Sequence, residues 1–304
     1  MATLVDLTGQ LFWVARYLTA TLKTLPNAPV TAWFLFDNGS LRPVSTLSLR
    51  RLASLLSDHL GLPVQPVSLL HSSQVAAEEL GGVAARLLEP ALVAFFEQNP
   101  TGEAVLMPLF FGPSAALTEY VPARVAAVRA RFPLARVRQA PWLVHTAEAD
   151  ARVAGILADQ VRATAQARGW DRPRVILCDH GTPQPAVAEV RNHLGAQLQV
   201  LLGQEIAGLA VASMERREGA AYDFNEPLLA SVLSTPPFDG GPVVIALQFL
   251  SPGRHAGPGG DIAQICQAAE ADHPGLQTQM TEPIAGDIRL VELLAERLAQ
   301  ATAL

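Results

Sequence analysis

Two stretches of this 304-residue chain carry the same order of apolar runs, turns and polar loop ends. A chain that repeats itself at that scale is constrained to fold as two copies of one unit. The second copy reads Val175-Ile-Leu-Cys-Asp-His-Gly-Thr182, then Val211-Ala-Ser-Met-Glu215, then Val243-Val-Ile-Ala-Leu-Gln-Phe-Leu-Ser-Pro-Gly-Arg-His255. The first reads Ala32-Trp-Phe-Leu-Phe-Asp-Asn-Gly-Ser40, then Val67-Ser-Leu-Leu-His71, then Ala104-Val-Leu-Met-Pro-Leu-Phe-Phe-Gly-Pro-Ser114. His180 lies 142 residues beyond Asn38, Glu215 144 beyond His71, His255 141 beyond Ser114, and Asp287 137 beyond Asp150. Each copy has the size of one small α/β domain. Only the second copy carries an ionisable group at each of the three loop ends matched to Asn38, His71 and Ser114, so one working site is expected, in the C-terminal half.

Within each copy, continuous apolar runs of strand length alternate with longer stretches of helical period. That pattern predicts parallel strands covered on both faces by helices. The predicted fold is α/β, with two similar domains, each a mainly parallel sheet of four to five strands flanked by helices. The boundaries fall at residues 28–170 for the worn copy and 171–304 for the copy carrying the site, with Arg168-Gly-Trp-Asp-Arg-Pro173 as the linker. Residues 1–27 stand outside the repeat and read as an N-terminal amphipathic helical extension. The segment Ser72 to Arg86 has no evident partner in the second copy and reads as an insertion.

A net charge of −6 with only 22 basic residues argues against a nucleic-acid binder with a broad phosphate footprint. The most apolar runs, such as Val243 to Leu250, are far too short to cross a membrane. Asp6 and Arg16 interrupt the apolar N-terminus, which therefore does not read as a signal peptide. Two cysteines, Cys178 and Cys266, are too few for a disulfide framework. The chain reads as soluble and cytoplasmic, and its oligomeric state is left open, a homodimer included.

Ligands of open parallel sheets bind beyond the carboxyl ends of the strands. His180, Glu215 and His255 each follow a predicted strand of the second copy and should converge on one rim. Gly181 allows a sharp turn after His180, and Gly253 with Gly257-Pro-Gly-Gly260 removes bulk around His255. Two imidazoles and a carboxylate suit a borderline divalent metal, and the same groups accept protons near neutral pH. Arg216, Arg217 and Arg254 flank the rim, either as solvated charges or as partners for substrate carboxylates. His59, His193 and His273 fall in helices or adjoining turns and read as structural or exposed; His71 and His145 have no partner set.

The motifs His180-Gly181-Thr182, Met214-Glu215, Glu226-Pro227 and Phe249-Leu-Ser-Pro-Gly-Arg-His-Ala-Gly-Pro-Gly-Gly-Asp-Ile262 resemble those of the class II tetrapyrrole chelatases, in particular the sirohydrochlorin cobaltochelatase and ferrochelatase group. Thr182 stands where that family usually has Ser, and five residues rather than three separate His255 from Asp261. The resemblance implies ATP-independent insertion of a divalent metal (cobalt, iron or nickel, as substrate) into sirohydrochlorin or a related tetrapyrrole, with no organic cofactor. It implies two chelatase-like domains, with His180 and His255 as metal ligands beside Glu215. Gly181, Thr182, Arg216, Arg217, Ser251, Gly253 and Arg254 would meet the macrocycle. Two alternatives stand beside an active chelatase: a non-catalytic tetrapyrrole or metal carrier on the same scaffold, and a chelatase acting on another porphyrin.

Overall fold

The computed structural model describes residues 29–304, so the helical extension expected over residues 1–27 lies outside the described residues. The first half runs β1 (Thr31–Asp37), α1 (Pro43–Leu60), β2 (Val64–Ser68), α2 (Leu88–Gln98), β3 (Glu103–Pro108), α3 (Val121–Arg131), β4 (Arg136–Gln139) and α4 (Arg152–Arg168). The second runs β5 (Arg174–Asp179), α5 (Pro185–Leu202), β6 (Gly208–Ser213), α6 (Leu229–Leu233), β7 (Gly241–Leu247), α7 (Asp261–Asp272), β8 (Leu276–Met280) and α8 (Ile288–Ala299), and a short β9 (Thr302–Ala303) follows. The strand orders are β2-β1-β3-β4-β9 and β6-β5-β7-β8. The halves therefore share one topology, parallel throughout except for β9, which adds antiparallel to β4. The predicted α/β class and the two mainly parallel sheets are what the chain adopts.

Local chemistry explains the matching helices. Pro43 and Pro185 open α1 and α5 at the position where a missing N–H costs nothing, and the left-handed Gly61 (φ 64°) closes α1. Along each strand, alternate residues go to different cores, as a pleat requires. In β1, Phe34 and Phe36 face an outer core with α2 and α3, while Leu35 faces inward. In β5, Ile176 and Cys178 face the outer core with α6 and α7, while Val175 and Leu177 face inward. The inner faces of both sheets share one continuous core with α1, α4, α5 and α8. The layers therefore run helix, sheet, helix, sheet, helix. Both cysteines lie in the second outer core, where burial raises their thiol pKa values, that of Cys266 to about 11.

The last helix of each half packs on the other half. α4 lies against α5 and β7, whereas α8 lies against α1 and β3. The exchange is reciprocal to the level of side chains. Arg152 grips Asp150 through Nε (3.0 Å) and reaches Glu296, and Arg289 grips Asp287 through Nε (3.0 Å) and reaches Asp159 at 2.6 Å. The two sets follow the 137-residue offset from Asp150 to Asp287, and they place an approximate two-fold axis between α4 and α8.

The ladders also correct the repeat at two loops and at one segment. Leu70 N–H donates to Asn38 O, and Glu215 N–H donates to His180 O, so Glu215 corresponds to Leu70 and not to His71. Leu143 N–H donates to Phe110 O and Ile284 N–H to Phe249 O, which aligns Ser114 with Gly253 rather than with His255. Ser68 bridges to Leu87 as Ser213 bridges to Leu228. The segment read as an insertion therefore has a partner in residues 217–227, and only its extra length is new. In both copies a 3-10 turn occupies it, at Ala77–Leu80 and at Ala220–Asn225.

Candidate functional site

β5 and β6 end side by side, with Asp179 opposite Ser213. His180 directly after β5 and Glu215 two residues after β6 leave the sheet together at its carboxyl edge. Gly181 makes this possible: its φ is +93°, and a Cβ there would sit 1.9 Å from the Glu215 carbonyl oxygen. Gly39 occupies the same position in the first half, at φ +89° and against Leu70 O. Thr182 is clamped on both sides by Asn225, whose Oδ1 accepts from Thr182 N–H at 2.8 Å and whose Nδ2 donates to Thr182 O at 2.9 Å.

His255 arrives from the loop after β7. The first amides of α7 have no partner within the helix, and those of Asp261 and Ile262 donate back to the carbonyls of Arg254 (3.4 Å) and His255 (3.3 Å). The loop also leans on the first half: Ser45 Oγ donates to Pro252 O at 2.7 Å, and Ser251 Oγ meets Ser48 Oγ at 3.3 Å. Gly253 lies against the same side of α1, beside Ser45. Ser251 and Gly253 thus hold the loop to its neighbour.

The three predicted groups converge on one rim. The imidazoles of His180 and His255 meet edge to face, with centroids 4.6 Å apart, and His180 Nε2 lies 3.4 Å from Glu215 Oε1. Each ring has its Nδ1 bound to oxygen. His180 Nδ1 is 3.0 Å from Gly181 O, and His255 Nδ1 is 2.6 Å from Asp261 Oδ2. A carbonyl and a carboxylate can only accept, so Nδ1 carries the hydrogen in both rings and each neutral imidazole offers its Nε2 lone pair. Among the described residues no three His, Cys, Asp or Glu side chains already close around one ion. The donors form an open set, accessible from solvent.

Asp261 was not singled out in the sequence as a site residue, although its place in the glycine-rich loop motif was visible. It also holds Arg254, whose Nε is 3.5 Å from the same carboxylate oxygen and whose side chain is 72% exposed. The other two arginines are engaged locally. Arg216 pairs with Asp223 at 2.9 Å and Glu226 at 2.7 Å, and the Arg217 guanidinium lies over the Tyr222 ring. They brace the loop after Glu215, while Arg254 stands on the other side of the rim, in the His255 loop.

At the first-half rim, Asn38 and Leu70 stand where His180 and Glu215 stand, so no comparable donor pair forms there. Asp37 remains, the counterpart of Asp179, with one carboxylate oxygen sealed from water and without a partner. Burial pushes its pKa up from 3.8 to about 6, against the opposing hydrogen bond from Ser68. The folded-state pKa stands above the unfolded one. The protonated carboxyl therefore favours folding fully below about pH 4, and that contribution is lost as the pH rises through about 6. Asp37→Asn, which is uncharged and of the same shape, should raise stability in urea at pH 7.5 by about 1–3 kcal/mol, with the gain vanishing near pH 4. A gain that is equal at both pH values would show that the charge of Asp37 is not the cause.

A sequence profile of the CbiX family matches residues 174–301, the half that holds this rim. No curated protein matches the chain by sequence. Among solved structures, SirB from Bacillus subtilis with Fe3+ is similar with a TM-score of 0.66 and 15% identity, over 89% of this chain and 95% of that one. The sirohydrochlorin chelatase SirB from Bacillus subtilis subspecies spizizenii in complex with cobalt gives 0.63 and 16%, over 89% and 94%. CbiX, described as the terminal enzyme for siroheme biosynthesis in denitrifying bacteria, gives 0.54 and 16%, over 88% and 98%. At these identities the structural likeness is one of fold, and the sequence match is confined to the second half. Residues 174–301 thus match the CbiX family, and the chain as a whole shares the fold of these chelatases.

Proposed function

We propose that the protein inserts a divalent metal into sirohydrochlorin or a closely related tetrapyrrole, without ATP. The observation that carries this reading is the pair of imidazoles at 4.6 Å, each fixed with Nε2 as its free donor and flanked by a carboxylate. His180 and His255 present the metal, which is a substrate and leaves in the product. Metal insertion releases two pyrrole N–H protons, and Glu215, beside His180 Nε2, is placed to take up one while one of the two histidines takes the other. The open rim admits a flat macrocycle edge-on, and binding energy from its periphery offsets the cost of distorting the ring so that a nitrogen lone pair tilts toward the metal. Among the described residues no helix is long and apolar enough to cross a membrane.

The deciding experiment follows tetrapyrrole absorbance on addition of cobalt, iron or nickel to a panel of porphyrins. A chelatase converts substrate in excess of enzyme. A shift that stops at one equivalent would make the protein a carrier, and turnover confined to dicarboxylate porphyrins would assign a different macrocycle.

Arg254 supplies the peripheral contact. One exposed guanidinium–carboxylate pair is worth ~0.5–1 kcal/mol. Arg254→Ala should therefore raise KM for an octacarboxylate tetrapyrrole roughly two- to fivefold with little change in kcat. The effect should shrink at high salt. Unchanged kinetics at low salt would remove Arg254 from the substrate contact.

A further inference from the structure

Arg191 projects from α5 into the interior beneath the rim and is 1% exposed. A buried guanidinium persists only where its N–H groups find acceptors, and here they do. Nη1 donates to Ser213 Oγ and to Asn225 O at 2.8 Å, Nη2 donates to Phe224 O at 3.1 Å, and Asn192 Oδ1 accepts from Nε at 3.2 Å. Ser213 passes the contact on by donating to Asp179 Oδ1 at 2.6 Å, and the same oxygen accepts from Gly181 N–H at 3.2 Å. Asn225, held through its carbonyl by Arg191, clamps Thr182. Residues 179, 181 and 182 are thus all tied to structures that Arg191 braces, and His180 sits between them.

The first half shows the same frame without this group. Leu49 lies 142 residues before Arg191, at the matching place in α1, and is buried. A buried leucine is therefore accommodated at this position, and burial by itself does not call for an arginine. Where Leu49 stands, Asp37 Oδ1 and Thr46 Oγ1 have no hydrogen-bond partner. A cavity of about 240 Å³ lined by Thr46, Leu49 and Ser68 opens beside them. That half carries Asn38 and Leu70 at its rim instead of a donor pair.

We propose that Arg191 is a positioning residue for the second-half rim: by bracing Ser213 and the Phe224–Asn225 backbone, it fixes the 179–182 turn that holds the His180 imidazole against His255 and beside Glu215. The inference rests on the reading of His180 as a metal-presenting group. It is tested with Arg191→Leu, which copies the first half, alongside Arg191→Lys and the milder Ser213→Ala. For Arg191→Leu, cobalt affinity and kcat should fall about tenfold or more while KM for the tetrapyrrole stays within about twofold, because the peripheral contact at Arg254 is untouched. Arg191→Lys should recover part of the loss, and Ser213→Ala should lose about threefold in the same direction. A role limited to stability would lower the melting temperature but leave cobalt affinity per folded molecule unchanged.

The position of the ring is read separately by NMR, as the nuclear Overhauser contact between the His180 and His255 imidazoles in the metal-free protein. It should be present in the wild type and lost in Arg191→Leu. A folded Arg191→Leu protein with that contact and cobalt affinity intact overturns the proposal. If Arg191→Leu does not fold, wild-type affinity in Ser213→Ala overturns it equally. A wild type that inserts no metal would sink the function reading, while loss of the ring contact in Arg191→Leu would still uphold the positioning role.

Discussion

Replacing His180 and His255 together with alanine should abolish tight cobalt binding and slow tetrapyrrole metallation by about 10³-fold or more, a loss of roughly 4 kcal/mol of transition-state stabilisation. The reasoning is one of donor count. With both Nε2 atoms gone, Glu215 is left as the only one of the three rim donors, and an exposed monodentate carboxylate holds a transition metal weakly against water. The matched control is built into the chain. Asn38→Ala and Leu70→Ala alter the corresponding rim of the first half and should leave cobalt stoichiometry and turnover unchanged. The readout is equilibrium titration with cobalt alongside the insertion rate. One equivalent of tightly bound cobalt in the double variant would place the metal elsewhere and sink the assignment.

The second large effect is expected at Gly181, where no side chain is lost. A methyl group there would lie 1.9 Å from the Glu215 carbonyl, on backbone at φ +93° that disfavours any side chain. The strained backbone alone costs of order 1–3 kcal/mol, and the clash can be relieved only by moving the loop ends of β5 and β6 apart. A displacement near 1 Å of a reacting group is enough to cost about 10²-fold in rate. Gly181→Ala should therefore reduce both melting temperature and kcat. Gly39→Ala meets Leu70 O at 1.7 Å in the first half and should cost similar stability with turnover per folded molecule retained. Equal turnover losses in the two variants would show that the effect is global rather than local to the His180–Glu215 pair.

Most of the architecture was legible in the sequence because central strands buried on both faces, such as β3, β5 and β7, write continuous apolar runs. The repeat predicted one topology for both halves for the same reason. What it misplaced were loop registers: His71 rather than Leu70 was paired with Glu215, since a loop residue carries no apolar period to anchor it. The exchange of α4 and α8 was not legible either. An amphipathic stripe records that a helix covers a sheet, without saying which, and here two sheets of equal chemistry were on offer.

At the rim, the convergence of His180, Glu215 and His255 followed from strand ends alone. The supporting groups did not. Arg191 lies on a helix, where arginine is usually solvated, and only its acceptors from Ser213, Phe224 and Asn225 reveal why it is buried. Arg216 read equally well as a substrate contact until Asp223 and Glu226 were seen to claim it.

The reciprocal exchange of α4 and α8 gives the chain the anatomy of a dimer whose two subunits are joined end to end. A chain carrying one copy of this unit, with its last helix laid on a partner, would have to present the same two rims twice, and any substitution at one would appear at the other. Joining the copies removes that obligation. One rim is then free to lose its donors, keep a buried carboxylate without a counter-charge and turn apolar, while its helices go on covering the neighbour's sheet. The half without the donor pair is bound in by the core it shares, and its sequence can drift only as far as that core allows.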